Sequence, residues 1–151
     1  QMEVKNTLDD NLMLFYTKLK RDASEVLKTQ NRAISKKRKV LQKMRDLVHP
    51  LKDVLSGKNN VNVFGEILHK NWMLKKSITD QVSSAKIDVY YDKAIAAGAI
   101  GGKLLGAGGG GFLLFYVEKK NQNSVREVLS ELYELKFELD TDGTRITYYD
   151  Q

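Results

Sequence analysis

The stretch Gly98-Ala-Ile-Gly-Gly-Lys-Leu-Leu-Gly-Ala-Gly-Gly-Gly-Gly111 decides how this chain folds, and Phe112-Leu-Leu-Phe-Tyr-Val117 follows it directly. Eight of the eleven glycines of the chain lie inside it, so the cluster needs a reason. Glycine loses more backbone entropy on folding than any other residue and brings no side chain to pack. A segment that keeps so many requires positive φ angles or close approach to its backbone. Because an apolar run follows without a gap, the glycines read as a turn that feeds a buried strand, and not as a flexible linker.

Working outward, Ser83-Ser84 open a helix upstream whose Ile87, Tyr90, Tyr91, Ala94 and Ile95 share one face, with Gly98 as its stop. Before it, Asn62 is placed to cap a helix carrying Val63, Phe64, Ile67, Leu68, Trp72 and Leu74. Gly65 inside that helix costs roughly 1 kcal/mol relative to alanine, which predicts close packing there. A longer stripe runs from Ala23 to Leu27, lapses at Thr29 to Asn31, and resumes from Ile34 to Leu55 with Gly57 as its end. Pro50 predicts a kink, or a new helix with the proline in its first turn. Near the N-terminus, Leu12-Met-Leu-Phe-Tyr16 reads as a buried strand after a turn at Asp9-Asp10-Asn11.

Downstream of the glycines, Asn121 to Asn123 mark a turn, and Ser124 with Glu127 have capping-box spacing before the apolar face of Val125, Val128, Leu129 and Leu132. Lys136 to Leu139, the turn Asp140-Thr-Asp-Gly143 and Thr144 to Tyr149 read as a final hairpin. The order is strand, helices, strand, glycine turn, strand, helix, hairpin. It predicts an α+β fold, a ferredoxin-like βαββαβ sandwich with extra helices on a mostly antiparallel sheet, over 1–151 as one domain.

Composition narrows the function classes. The 151 residues, 42% apolar, suffice for one core. With no cysteine there are no disulfides, thiolate metal sites or cysteine nucleophiles, and His49 and His69 are too few for a histidine-built metal site. No apolar stretch has the length of a bilayer span, and no signal peptide is visible at the N-terminus. A soluble, cytoplasmic protein is expected. The net charge of +6 admits anionic partners, either nucleic acid or phosphorylated small molecules. The chain opens Gln1-Met2-Glu3, with a strand-like segment within about ten residues. It is therefore expected to be a piece of a longer protein.

Three phosphate-binding patterns can be tested on the glycines. A P-loop needs a glycine five residues before Gly102-Lys103 and a serine or threonine after it; Ala97 and Leu104 occupy those places. Gly106, Gly108 and Gly111 satisfy G-x-G-x-x-G, but a dinucleotide site needs a helix next and a strand follows. Strand, glycine loop, strand suits a protein kinase, yet the lysine strand and both catalytic aspartate motifs of that family are missing. Spacing alone leaves a phosphate loop and a simple packing turn equally open.

The segment Gly98 to Tyr116 is similar to the third motif of the GHMP small-molecule kinases, a superfamily that includes galactokinase, homoserine kinase and mevalonate kinase. It most resembles the D-glycero-D-manno-heptose phosphate kinases, through Trp72-x-x-Lys75-Lys76, Ile87-Asp88 and Tyr16-Thr17 with Arg21. Lys18 departs from the pattern, which has glycine after the Tyr-Thr pair. The likeness spans nearly the whole chain but only the C-terminal half of such a kinase. It implies ATP and Mg2+ held mainly by an N-terminal domain outside this chain, a heptose phosphate such as D-glycero-D-manno-heptose 7-phosphate as acceptor, and no catalytic residue or metal ligand here. The fragment alone would be inactive, its partner being its own N-terminal kinase domain.

The resemblance places the third motif beside the active site, where glycine amides can approach phosphate oxygens. The residues implied near substrate or phosphate are Gly102, Lys103, Gly106, Ala107, Gly108, Gly109, Gly110 and Gly111, with Arg21, Lys75 and Lys76. Each has a plainer reading: Lys103, Lys75 and Lys76 as solvated lysines, Arg21 as a surface ion pair. Trp72 reads as core or domain-interface packing, and His49 and His69 carry no chemistry. Lys36-Lys-Arg-Lys39, with Arg32 and Lys43, offers the alternative of a basic nucleic-acid-binding module, against a solvated helix face. No membrane partner is expected, and a homodimer is a possible assembly of an isolated half.

Overall fold

Alternation along Leu12–Tyr16 (β1) buries Met13 and Phe15 on one side of a sheet. The structure, a computed structural model, describes residues 2–19, 24, 27–29, 37–106, 108–141, 143–144 and 148. Helix α1 (Met2–Asn11) precedes β1, and helices α2 (Arg38–Asp46), α3 (Val48–Leu55), α4 (Val63–Lys76) and α5 (Ala85–Ala96) follow it. Strands β2 (Gly101–Leu104) and β3 (Phe112–Tyr116) flank the glycine loop. A 3-10 turn (Lys119–Asn121), helix α6 (Gln122–Val128) and strand β4 (Tyr133–Leu135) come last. The sheet order is β2-β3-β1-β4, and every neighbouring pair is antiparallel. This is the expected βαββαβ arrangement, with β1 and β3 at its centre.

Met13, Phe15, Leu104, Leu113 and Phe115 pack with Ile87 and Tyr91 of α5 and with Val125 and Leu129 around α6. That cluster is the main core. The opposite face is covered at one end by Val4 and Leu8 of α1, which close over Tyr116. Leu14 pairs with Leu114 in β3 and Leu135 in β4, and Lys103 lies across from Leu114, so this row continues the second face. Leu14, Tyr16, Phe112 and Leu114 on it are only half-buried.

Helix α4 lies directly on β2. A Cβ on Gly101 would fall 1.9 Å from the Gly65 carbonyl oxygen, and one on Gly65 would fall 2.9 Å from Ile100. The close packing anticipated at Gly65 is therefore a helix backbone resting on a strand backbone.

Several local expectations are corrected. Asp9-Asp10-Asn11 form the last turn of α1 and not a free turn, because Val4 and Leu8 bury one helix face and Asn11 donates to the Tyr116 hydroxyl at 3.0 Å. Asn62 stands at the start of α4, but its side chain makes no cap; it accepts from the Tyr116 hydroxyl at 2.9 Å. Ser124 lies within α6 and not at its cap, since the 3-10 turn starts the helix earlier, at Gln122. The last strand among the described residues is Tyr133–Leu135, upstream of the expected hairpin. Residues 136–140 have no strand pairing, and Leu139 is held instead by its amide donating to Asp9 at 2.8 Å. Most of Thr144 to Tyr149 lies outside the described residues.

Other readings stand. The long stripe breaks at Leu47, with Pro50 in the first turn of α3, where its missing N–H has no intrahelical acceptor to lose. The Ser84 hydroxyl caps α5 by accepting from the Ile87 amide.

Candidate functional site

The loop between β2 and β3 begins where the Leu105 amide donates to the Phe112 carbonyl at 2.8 Å. It is tied to two neighbouring segments. The Gly109 amide donates to the Val82 carbonyl just before α5 (2.9 Å), and the Gly111 amide donates to the Leu19 carbonyl just after β1 (3.1 Å). In return, the Thr17 amide and hydroxyl both donate to the Gly111 carbonyl, at 2.9 and 2.8 Å. Thr17 is buried, and its hydroxyl also accepts from the Leu19 amide at 3.3 Å.

These ties explain the glycines. Gly108 has φ +122°, and a Cβ there would fall 2.8 Å from the Val82 carbonyl oxygen. At Gly110 a Cβ would fall 2.3 Å from the Leu19 carbonyl oxygen. Gly102 packs into the sheet: a Cβ would meet the Phe115 ring at 2.4 Å, and its carbonyl accepts from the Tyr91 hydroxyl at 3.3 Å. The amides of Gly109 and Gly111 thus satisfy protein carbonyls. At Gly106 and Gly111 the space where a side chain would stand is open to 4 Å, and Gly106 is exposed.

The cations around the loop divide into two groups. Lys75, at the end of α4, donates to the Gly106 carbonyl at 2.6 Å. Lys103, on β2, donates to Asn71 Oδ1 at 3.4 Å, and Asn71 lies one helical turn before Lys75 on α4. Both lysines are half-buried. Burial holds the Lys103 ammonium below its ordinary pKa, and burial together with the Lys103 charge does the same to Lys75. Among the described residues neither has a carboxylate within ion-pair distance.

Lys76 faces elsewhere. It pairs with Asp88 Oδ1 at 3.0 Å, which also accepts from the Ser83 hydroxyl, and it sits about 6 Å from the Trp72 and Tyr91 ring centres. The structure therefore brings together Lys75, Lys103 and Gly106 and sets Lys76 apart. Arg21 and Ala107 lie outside the described residues. Trp72 is fully buried in the core, and its indole N–H finds no acceptor among the described residues. His69 Nδ1 lies 2.8 Å from the Tyr91 hydroxyl, whose pKa burial pushes up. His49 is exposed, as are Arg38, Lys39 and Lys43 of the basic run; Arg32 and Lys36 lie outside the described residues.

Asn71 is the site residue that sequence reasoning missed. Its spacing of four from Lys75, on the stripe of Phe64 and Leu68, was the available signal. Among the described residues no group of three or more His, Asp or Glu is placed to hold a metal ion, and no helix is long and apolar enough to cross a membrane.

The comparisons with known proteins bear on a loop of this kind. The family model for GHMP kinases C terminal matches residues 51–135, more than half of the chain, and so includes α4, the glycine loop and Lys103. The chain belongs to this family.

A curated relative of this GHMP kinase domain is the D-glycero-alpha-D-manno-heptose 7-phosphate kinase of Campylobacter jejuni, 27% identical over 150 residues. The match takes in 94% of this chain and 43% of that protein, so the chain spans less than half of its relative's length. Among solved structures, the Methanococcus jannaschii mevalonate kinase superposes with a TM-score of 0.69 at 23% identity, over 88% of this chain and 41% of that one. A Bacteroides thetaiotaomicron D-glycero-D-manno-heptose 1-phosphate kinase superposes with a TM-score of 0.51 at 21% identity, over 91% and 35%. At these identities the structural likenesses speak for the fold. In each of these two structures the matched part is less than half of the chain.

Proposed function

We propose that this GHMP kinase domain is the C-terminal half of an ATP-dependent sugar kinase, which transfers the γ-phosphoryl group to a hydroxyl of a heptose phosphate such as D-glycero-D-manno-heptose 7-phosphate. The observation that carries the reading is the anchored glycine loop between β2 and β3, with two half-buried lysines at its open end. Phosphoryl transfer is catalysed mainly by positioning and by cations and dipoles aimed at developing charge. A loop fixed at Thr17, Leu19 and Val82 supports the first, and Lys75 and Lys103 add positive charge beside it for a phosphorylated ligand. The acceptor class rests on the 27% identical relative and on the motif residues shared with heptose phosphate kinases.

The nucleotide's Mg2+ does not fit the described residues, whose acidic groups form no cluster of ligands. Its protein ligands, and the groups that do the chemistry, are assigned to an N-terminal domain. We place that domain against the half-buried row of Leu14 and Leu114, beside Lys103. Removal of free Mg2+ by a chelator should accordingly stop turnover in the longer protein and leave the melting temperature of this chain unchanged.

The test compares the 151-residue chain with a protein extended to the length of its relatives, each given ATP and D-glycero-D-manno-heptose 7-phosphate. The extended protein should release ADP and the short chain should not. Turnover by the short chain would count against this division of labour. In the extended protein Gly108→Val should lower kcat at least a hundredfold with an unchanged circular dichroism spectrum, since the side chain forces the loop off the Val82 carbonyl.

A further inference from the structure

Lys75 and Lys103 are an unusual pair to find together. Each ammonium is half-buried, and among the described residues each has a neutral oxygen as its only hydrogen-bond partner, Gly106 O for one and Asn71 Oδ1 for the other. Asn71 and Lys75 are four residues apart on α4, a rise of about 6 Å, so the Lys103 ammonium at Asn71 stands near the Lys75 side chain. Two cations held close in a partly dry setting repel each other and lose hydration, and neutral oxygens offset only part of that. Two other half-buried lysines have found carboxylates: Lys76 has Asp88, and Lys5 has Asp9. The pair at the loop has not, and beside it the chain leaves open space at Gly106.

On the reading that the whole protein is a heptose phosphate kinase, we infer that Lys75 and Lys103, with Asn71 between them, bind the phosphate the acceptor already carries, the one that is not transferred. Two ammonium groups match the charge of a phosphate monoester, which is close to −2 near neutral pH. The Asn71 amide turns its oxygen to Lys103, and its N–H groups, without an acceptor among the described residues, can donate to a phosphate oxygen. The donors at this rim are ammonium and amide. They offer no carboxylate oxygen to a magnesium-bound polyphosphate, which distinguishes the acceptor's phosphate from those of the nucleotide. The cradle thus selects phosphorylated over unphosphorylated sugar, and Lys76, committed to Asp88, plays no part in it.

The experiment uses the extended protein with D-glycero-D-manno-heptose 7-phosphate and with the unphosphorylated heptose. Lys103→Met and Lys75→Gln keep much of each side chain's apolar stem. In each, KM for the phosphorylated acceptor should rise at least tenfold with KM for ATP within twofold. The preference for the phosphorylated sugar, as a ratio of kcat/KM values, should fall at least tenfold. An unmoved preference, or an effect carried by KM for ATP, overturns the inference. If the wild-type protein phosphorylates no sugar phosphate, the kinase reading fails on its own account. The cradle is then decided by titrating inorganic phosphate and mannose 6-phosphate into wild type and Lys103→Met, followed by amide NMR shifts at Asn71 and Gly106. Binding lost in the variant supports the cradle, and wild type that binds neither probe overturns it.

Discussion

At Lys18 the backbone takes φ +59°, a conformation that a side chain with a Cβ disfavours by about 1 kcal/mol. The residue lies just past Thr17, and its ammonium donates to the Glu131 carbonyl from an exposed position, a contact of little weight. Lys18→Gly should therefore raise stability by roughly 0.5–1 kcal/mol, read as a higher urea midpoint with an unchanged slope. Glycine at this position in the family pattern has a physical reason. Thr17 is the opposite case: its buried hydroxyl holds the Gly111 carbonyl, so Thr17→Val should cost about 1–2 kcal/mol and Thr17→Ser much less. The two loop lysines add a pH dependence. Burial lowers their folded pKa values below 10.5, so between the folded and unfolded values the unfolded chain binds more protons, and this contribution to stability rises with pH. Anion binding runs the other way, because a neutral amine attracts no phosphate. KM for the phosphorylated acceptor should climb on an alkaline limb that begins below pH 10.5, and Lys103→Arg should move that limb upward.

At the scale of elements, the contact of α4 with β2 is made by backbone. Alanine at position 65 gains roughly 1 kcal/mol of helix propensity, yet its Cβ would press on Ile100 and the Tyr116 ring at 2.9–3.0 Å. Ile100 is met at its own Cβ and cannot swing away, so Gly65→Ala should be net destabilising by about 1–2 kcal/mol, visible as a lower melting temperature. The strand, loop and strand around Gly106 were legible because a continuous apolar run follows the glycines, and β1 because Leu12 to Tyr16 is apolar and aromatic. Where the glycine amides point was not legible. Their acceptors, Val82 and Leu19, are distant in the chain and are main-chain groups that no residue pattern advertises. Asp9-Asp10-Asn11 misled for a related reason: acidic and amide residues favour turns locally, but burial of Val4 and Leu8 over Tyr116 outweighs that preference. The same holds for Asn62 and Ser124, whose capping signals gave way to a contact with Tyr116 and to an earlier helix start.

At the scale of the molecule, the sheet is closed on one face by α5 and α6 and only partly on the other. The row of Leu14 and Leu114 stays half-buried beside Lys103. If the N-terminal domain covers that row, Leu114→Asp should leave the short chain folded but weaken the extended protein. In it, protection from hydrogen exchange at β1 and β3 should fall to the level of the short chain. Equal protection in variant and wild-type extended protein would remove the interface from this face. The candidate site shares this division: the fold and the loop were legible in this chain, whereas the Lys75–Lys103 pairing depends on how α4 lies along β2.

Trp72 is the only tryptophan, fully buried, with the Lys76 ammonium 5.9 Å from its ring centre and Lys75 three residues further along the same helix. The protein's emission is thus a single-site signal from the helix that carries half of the anion cradle. It should lie at short wavelength in the folded state and move to the red in one step as α4 leaves β2. A natural fluorophore is already built in, and no label has to be added to watch this helix.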